Sequence, residues 1–249
     1  MPPPPPLPGG SVPGDAVAFP PPPGAVATWR PIEAIPIFLI AIVSTTAITL
    51  LGSQFLGGKG TEVLAAAVFE VALAAGVLLW IRWLHRPAIG ALGPPRRPLL
   101  EAAHGLVGGV VTRLIAVFGI GPVVVLILEA FTDGTTRVPD QVPTDLQVLP
   151  TVLLGIVVVV GAPIGEELFF RGFLYRGLRA RRGFWVSAVL SSAAFGLVHY
   201  VDGSWFFVPI MFIVGMCFAY LYEREGRILV PIVAHAAFNL IGILFLTLG

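Results

Sequence analysis

Apolar residues along this chain neither alternate nor recur as a narrow stripe. They come in runs of about twenty, separated by short connections rich in arginine, glycine and proline. The runs lie at approximately 33–52, 62–84, 101–131, 146–162 continuing to 181, 184–201, 204–222 and 228–248. A run near 20 residues is the length of helix that crosses the hydrocarbon core of a bilayer. No water satisfies the backbone there, so each run must be helical. The stretch 146–181, at 36 residues, would extend about 54 Å as a helix, too long for one straight crossing. Gly161 and Pro163 mark a place for it to kink or divide. The pattern therefore predicts an all-α polytopic membrane helical bundle of seven to eight transmembrane helices.

Composition strengthens this reading. Of the 249 residues, 56% are hydrophobic and 12% charged, with a mean hydropathy of +0.91. Soluble domains carry about 25% charged residues, so this chain has too few to clothe a single core in water. The formal net charge of +1 is uninformative, and no basic stripe offers a nucleic-acid surface. Cys217 is the only cysteine, which excludes disulfides within the chain and thiolate metal clusters. Lys59 stands alone beside fourteen arginines, a bias that hints at a bacterial source.

Residues 1–31 hold 12 of the 24 prolines. Proline lacks an amide donor and fixes φ, so this segment is expected to be a disordered or extended tail. It has neither the basic n-region nor the apolar h-region of a signal peptide, and reads as retained. The chain thus divides into a proline-rich tail (1–31), N-terminal transmembrane helices (32–145) and a C-terminal membrane core (146–249).

Arginines set the orientation. Alternate connections carry Arg30; Arg82, Arg86, Arg96 and Arg97; Arg176, Arg179, Arg181 and Arg182; and Arg224 and Arg227. The opposite connections carry only Lys59 and Arg137, with no base around Asp202. By the positive-inside rule the N-terminus is cytoplasmic and, with seven crossings, the C-terminus is outside. The expected location is a bacterial inner or plasma membrane.

Ionisable groups within spans are costly unless paired or hydrated, so each calls for an explanation. Glu166, Glu167 and Arg171 fall in Gly-Glu-Glu-Leu-Phe-Phe-Arg-Gly. Phe195 and His199 fall in Phe-Gly-Leu-Val-His, and His235 and Asn239 in His-Ala-Ala-Phe-Asn. Glu70 and Arg113 sit in earlier spans, where they read as a structural ion pair, with a proton-relay role as the sharper alternative. Glu167 and Arg171, four apart with the acid first, share a helix face. Glu166 lies about 100° round the helix and is free to point elsewhere.

Depth brings the motifs together. Glu166 lies 16 residues before Arg182 and His199 lies 17 after it, so both stand about 25 Å from that turn on antiparallel helices. His235 lies nine residues past Gly226, about 13 Å in from the next arginine-marked turn. A carboxylate, two imidazoles and a carboxamide at similar depth form a catalytic or metal-binding constellation. The sequence lacks a His-Glu-x-x-His zinc helix, a Gly-x-Ser-x-Gly turn and an aspartate pair within spans. What remains is water activation by Glu166. A carboxylate in an apolar pocket is the stronger base, with His199 orienting the water and His235 and Asn239 donating to an oxyanion. Glu166, His199 and His235 equally form an acceptable ligand set for one divalent metal such as zinc. Both arrangements stay open at this level.

Glu166-Glu167-x-x-x-Arg171, Phe195-x-x-x-His199 and His235-x-x-x-Asn239, in this order on successive membrane helices, resemble the CPBP family. That family comprises type II CAAX prenyl proteases and Abi-type bacteriocin-processing or immunity proteins. The resemblance covers roughly residues 146–245 and departs at no motif position. It implies an intramembrane endopeptidase, often labelled a metalloprotease, acting on a membrane-associated protein or peptide. It makes 146–249 a CAAX-protease-like catalytic core. Carried over, Glu166 resembles the general base, His199 its partner at the water, and His235 with Asn239 the oxyanion-side pair. Glu167, Arg171 and Phe195 take supporting positions. Two other readings use the same residues: a non-catalytic scaffold or bacteriocin-immunity protein, and a proton-coupled transporter, against which the absence of internal repeats counts.

Overall fold

The structure is a computed structural model that describes residues 26–131, 148–200 and 205–248. Among these residues all regular structure is helical. A 3-10 turn, Pro31–Glu33, leads into α1 (Ala34–Gly52), which is followed by α2 (Gly57–Leu84). α3 (Pro98–Leu114) continues through the π-helical stretch Ile115–Ile120 into α4 (Gly121–Phe131). A single rod then comprises α5 (Val148–Ile156), the π-helical Val157–Gly161, α6 (Ala162–Glu167), the π-helical Leu168–Tyr175 and α7 (Arg176–Arg179). α8 (Phe184–Val198), α9 (Phe207–Glu225) and α10 (Leu229–Leu248) complete the bundle. Among the described residues five helices are long and apolar enough to cross a membrane, and Phe184–Val198 and Leu229–Phe245 are shorter apolar helices. The chain is a membrane protein with an all-α architecture.

The outside is apolar, and the largely hydrophobic inside holds a set of polar and charged side chains. Leu39, Ile40, Val43 and Leu50 of α1, Leu106 and Val107 of α3, and Trp185 and Leu190 of α8 are exposed. Glu167, Arg171, Ser187, Ser191, Glu223 and His235 are buried. A bilayer gives such a surface its solvent.

The stretch expected to kink or divide near Gly161 and Pro163 is continuous from Val148 to Arg179, which gives seven helical rods rather than eight among the described residues. Its length is absorbed by two π-helical segments. Wider turns displace backbone carbonyls from the usual ladder, and side chains from other elements take three of them. Asn239 Nδ2 donates to Val158 O at 2.8 Å, Ser191 Oγ to Phe170 O at 2.8 Å, and Trp29 Nε1 to Phe173 O at 2.8 Å. Buried carbonyls require partners, and here these partners lock α10, α8 and the N-terminal segment onto the rod.

α10 packs along α3, α1 along α2 and α8 along α9, while the rod touches α2, α8 and α10. Small residues allow the closest crossings. A side chain at Gly105 or Gly109 of α3 would overlap Val230, Val233, Ala234 and Ala237 of α10. The α10 backbone that carries His235 and Asn239 is thereby fixed in depth.

The four arginine-bearing connections meet at one end of the bundle. Arg176 Nε donates to Ala91 O at 2.6 Å, Tyr222 Oη to Leu92 O at 3.0 Å and Arg227 Nη1 to Pro94 O at 3.3 Å. Arg181 Nη1 donates to Trp29 O at 2.9 Å. The proline-rich tail lies largely outside the described residues, but its last part is packed. Trp29 is fully buried and its ring stacks on Phe173 at 5.1 Å.

Candidate active site

The rod places Glu166 and Glu167 on different faces, and their surroundings differ. Glu167 is completely buried. Its Oε1 accepts from Arg171 Nη1 at 2.8 Å and from His235 Nδ1 at 3.0 Å. The Arg171 guanidinium, also fully buried, donates from Nη2 to Gly215 O of α9 at 3.1 Å. It lies over the rings of Phe195 (4.3 Å) and Phe218 (5.4 Å). Buried charge is tolerable when paired and hydrogen-bonded, and an aromatic face adds cation–π attraction. The pair expected from the i, i+4 spacing is thus present, and it extends to the last helix through His235.

Glu166 is half-buried, and its Oε2 is shielded from solvent and makes no hydrogen bond. Its charge acts on Arg171, His235 and Glu70, which places all three in its neighbourhood.

His199 terminates α8. Its Nδ1 lies 2.7 Å from Phe195 O, the carbonyl one turn back. A carbonyl only accepts, so Nδ1 carries the hydrogen and the neutral ring presents its lone pair at Nε2. His235 is arranged alike: with Nδ1–H on Glu167, its neutral ring also keeps Nε2 as an acceptor. Phe195 stands between them, its centroid 4.7 Å from the His199 ring and 5.9 Å from that of His235. Phe218 packs on His235 at 5.1 Å. The structure therefore gathers Glu166, Glu167, Arg171, Phe195, His199 and His235 from the rod, α8 and α10. Asn239, one turn beyond His235, spends one amide hydrogen on Val158 O, and the other remains for a ligand.

Among the described residues no three His, Cys, Asp or Glu side chains converge as a metal site requires, so Glu166, His199 and His235 do not fit that role as placed. Glu167 Oε1 already accepts from Arg171 and His235.

The expected ion pair between Glu70 and Arg113 is not formed. Arg113 lies over Phe238 at 4.9 Å and against Gly242, both on α10. Glu70, 8% exposed, instead lies against Gly161 and Gly165 of the rod, and the charged group acting on it is Glu166. Depth matching alone does not say which neighbour a helix has, and that is why the pairing failed. Glu70 is thus the site residue that spacing missed. The signal was present in two glycines one turn apart on the motif helix, the mark of a close crossing. Phe218, Trp29 and Ser191 carried no distinguishing pattern in the sequence.

Comparison with known proteins bears on the same region. The family model "Type II CAAX prenyl endopeptidase Rce1-like" matches residues 148–241. The chain is 35% identical over 114 residues to "Putative membrane peptidase YdiL" of Bacillus subtilis (strain 168), covering 45% of each chain. It is 25% identical over 171 residues to "Uncharacterized 24.3 kDa protein" of Escherichia coli, covering 68% of this chain and 73% of that one. It is 35% identical over 99 residues to "UPF0177 protein YbdI" of Lactococcus lactis subsp. lactis (strain IL1403), covering 39% of this chain and 51% of the relative. The matched region thus spans about half the length of the first and third. No solved structure matches.

Proposed function

With residues 148–241 belonging to the CPBP family, we propose that the protein is an intramembrane endopeptidase that hydrolyses peptide bonds of a membrane-associated substrate with water activated by Glu166. The observation that carries this reading is the asymmetry of the two adjacent glutamates. Each has one shielded, unpartnered oxygen, but Glu167 is held through its other oxygen by Arg171 and His235, whereas no arginine or histidine pairs with Glu166 among the described residues. A base must be free to take a proton, and Glu166 is the one with that freedom.

In this mechanism Glu166 removes a proton from water as the oxygen attacks the scissile carbonyl. Nε2 of His199, whose ring is oriented by the Phe195 carbonyl, accepts the water's other hydrogen bond. The tetrahedral oxyanion takes the remaining amide N–H of Asn239, and donors positioned where charge develops are worth several kcal/mol. Glu166 then returns its proton to the leaving amine. With its one N–H spent on Glu167, His235 keeps only a lone pair at Nε2 and does not donate to the oxyanion as expected, and Glu167 with Arg171 holds its ring in place. Because the arginine-bearing connections share one end of the bundle, the site faces the cytoplasm in this reading.

Glu166→Gln and His199→Ala should each abolish cleavage while membrane insertion and thermal unfolding stay unchanged. If a folded Glu166→Gln protein preserves the cellular phenotype, the scaffold or immunity reading takes its place. Substrate-dependent proton movement in proteoliposomes would favour the transporter.

A further inference from the structure

Glu70 has no role in the mechanism above, yet its placement is specific. It projects from α2 onto the motif helix where Gly161 and Gly165 leave room. A side chain at Gly165 would overlap both the Glu70 carboxylate and its backbone carbonyl. Glu70 is buried, and its Oε2, like that of Glu166, is shielded and makes no hydrogen bond. Among the described residues no cation pairs with it, and Arg113 lies instead over Phe238 and against Gly242 of α10. The Glu70 carboxylate thus lies against the residue that precedes Glu166, and two buried carboxyl groups that act on each other repel unless a proton is shared between them, when an O–H···O bond can form.

We propose that Glu70 is a positioning residue for Glu166, its carboxyl O–H hydrogen-bonding to the Glu166 carboxylate and fixing that side chain toward the water. This rests on the reading of Glu166 as the base. It explains how Glu166 holds one orientation without an arginine. Glu167 takes its orientation from Arg171 and His235, and Glu166 takes its own from a neutral donor that leaves its charge available. It also explains why the motif helix carries glycine immediately before the two glutamates.

The test has a spectroscopic arm that needs no substrate. In infrared difference spectra of the purified protein in lipid nanodiscs, wild type minus Glu70→Gln should show loss of a protonated-carboxyl C=O band, and Glu166→Gln should shift that band. Spectra unchanged in this region by either substitution would overturn the proposal. The kinetic arm uses an internally quenched prenylated peptide ending in Cys-a-a-X. Glu70→Leu, similar in size but without a donor, should slow cleavage by about tenfold or more with KM unchanged. Glu70→Gln, whose amide N–H replaces the donor, should stay within about threefold of wild type. Cleavage by Glu70→Leu at the wild-type rate, or an equal loss in both variants, would also overturn it. If Glu70→Leu fails to fold, Glu70→Gln and the infrared arm still decide, and the infrared arm stands alone if the peptide is not cut. Cleavage surviving Glu166→Gln would sink the base assignment itself, whereas Glu166→Gln inactive beside fully active Glu70 variants would sink only the role of Glu70.

Discussion

The two faces of α6 carry the same residue type in opposite conditions. On the face toward α9 and α10, Glu167 is paired through one oxygen: Arg171 and His235 share Oε1, and aromatic rings close over the arginine. Toward α2, Glu70 lies against Gly161 and Gly165, and the neighbouring Glu166 makes no hydrogen bond through its shielded oxygen. A buried charge that holds a fold together should be fully paired, and one that does chemistry should keep capacity in reserve. In the mechanism proposed above, this difference gives Glu167 the architectural part and Glu166 the reacting one, although sequence adjacency makes them look interchangeable.

Substitutions on the two faces should therefore fail in different ways. Glu166→Gln should lower the cleavage rate by about a hundredfold or more, the usual range for a lost general base, with thermal unfolding in detergent unmoved. If the loss followed unfolding instead, the two faces would be alike. Arg171→Met should do the reverse, costing about 3–5 kcal/mol because Glu167 is left buried without its counter-charge. Adding Glu167→Gln should recover part of that loss, as a double-mutant cycle on unfolding would show. Gly165→Ala presses a methyl group against Glu70 and should cost about 1–3 kcal/mol, as overpacking does. Cleavage should fall with it, and a neutral result would mean the α2 crossing is looser than the structure shows. Trp29→Phe keeps the ring stack on Phe173 but orphans its carbonyl, a smaller loss of about 1–2 kcal/mol, read by the same unfolding assay.

Much of this was legible in the sequence, for definite physical reasons. Bilayer thickness sets run length, so the seven helical segments could be read from hydropathy alone. The i, i+4 rule linked Glu167 to Arg171 because that distance is fixed within one helix. What lies between helices was less legible. Glu70 and Arg113 match in depth, but depth says nothing about which helices are neighbours, and the glycines at 161 and 165 turned Glu70 toward Glu166. The long segment 146–181 looked divisible because a regular helix of that length overshoots the membrane. The π-helical stretches that absorb it depend on Asn239, Ser191 and Trp29, three residues remote in sequence. Burial of Trp29 in turn ends the proline-rich tail earlier than composition implied.

The central claim is that Glu166 makes this protein a peptidase. It is tested most directly by quantitative comparison of protein termini in membranes from cells lacking the native gene and expressing either the wild-type or the Glu166→Ala protein at equal, verified levels. A set of termini should be generated by the wild type and be absent with Glu166→Ala, their precursors accumulating uncut. The same termini in both membranes, or no difference between wild type and the gene-deficient cells, would contradict it.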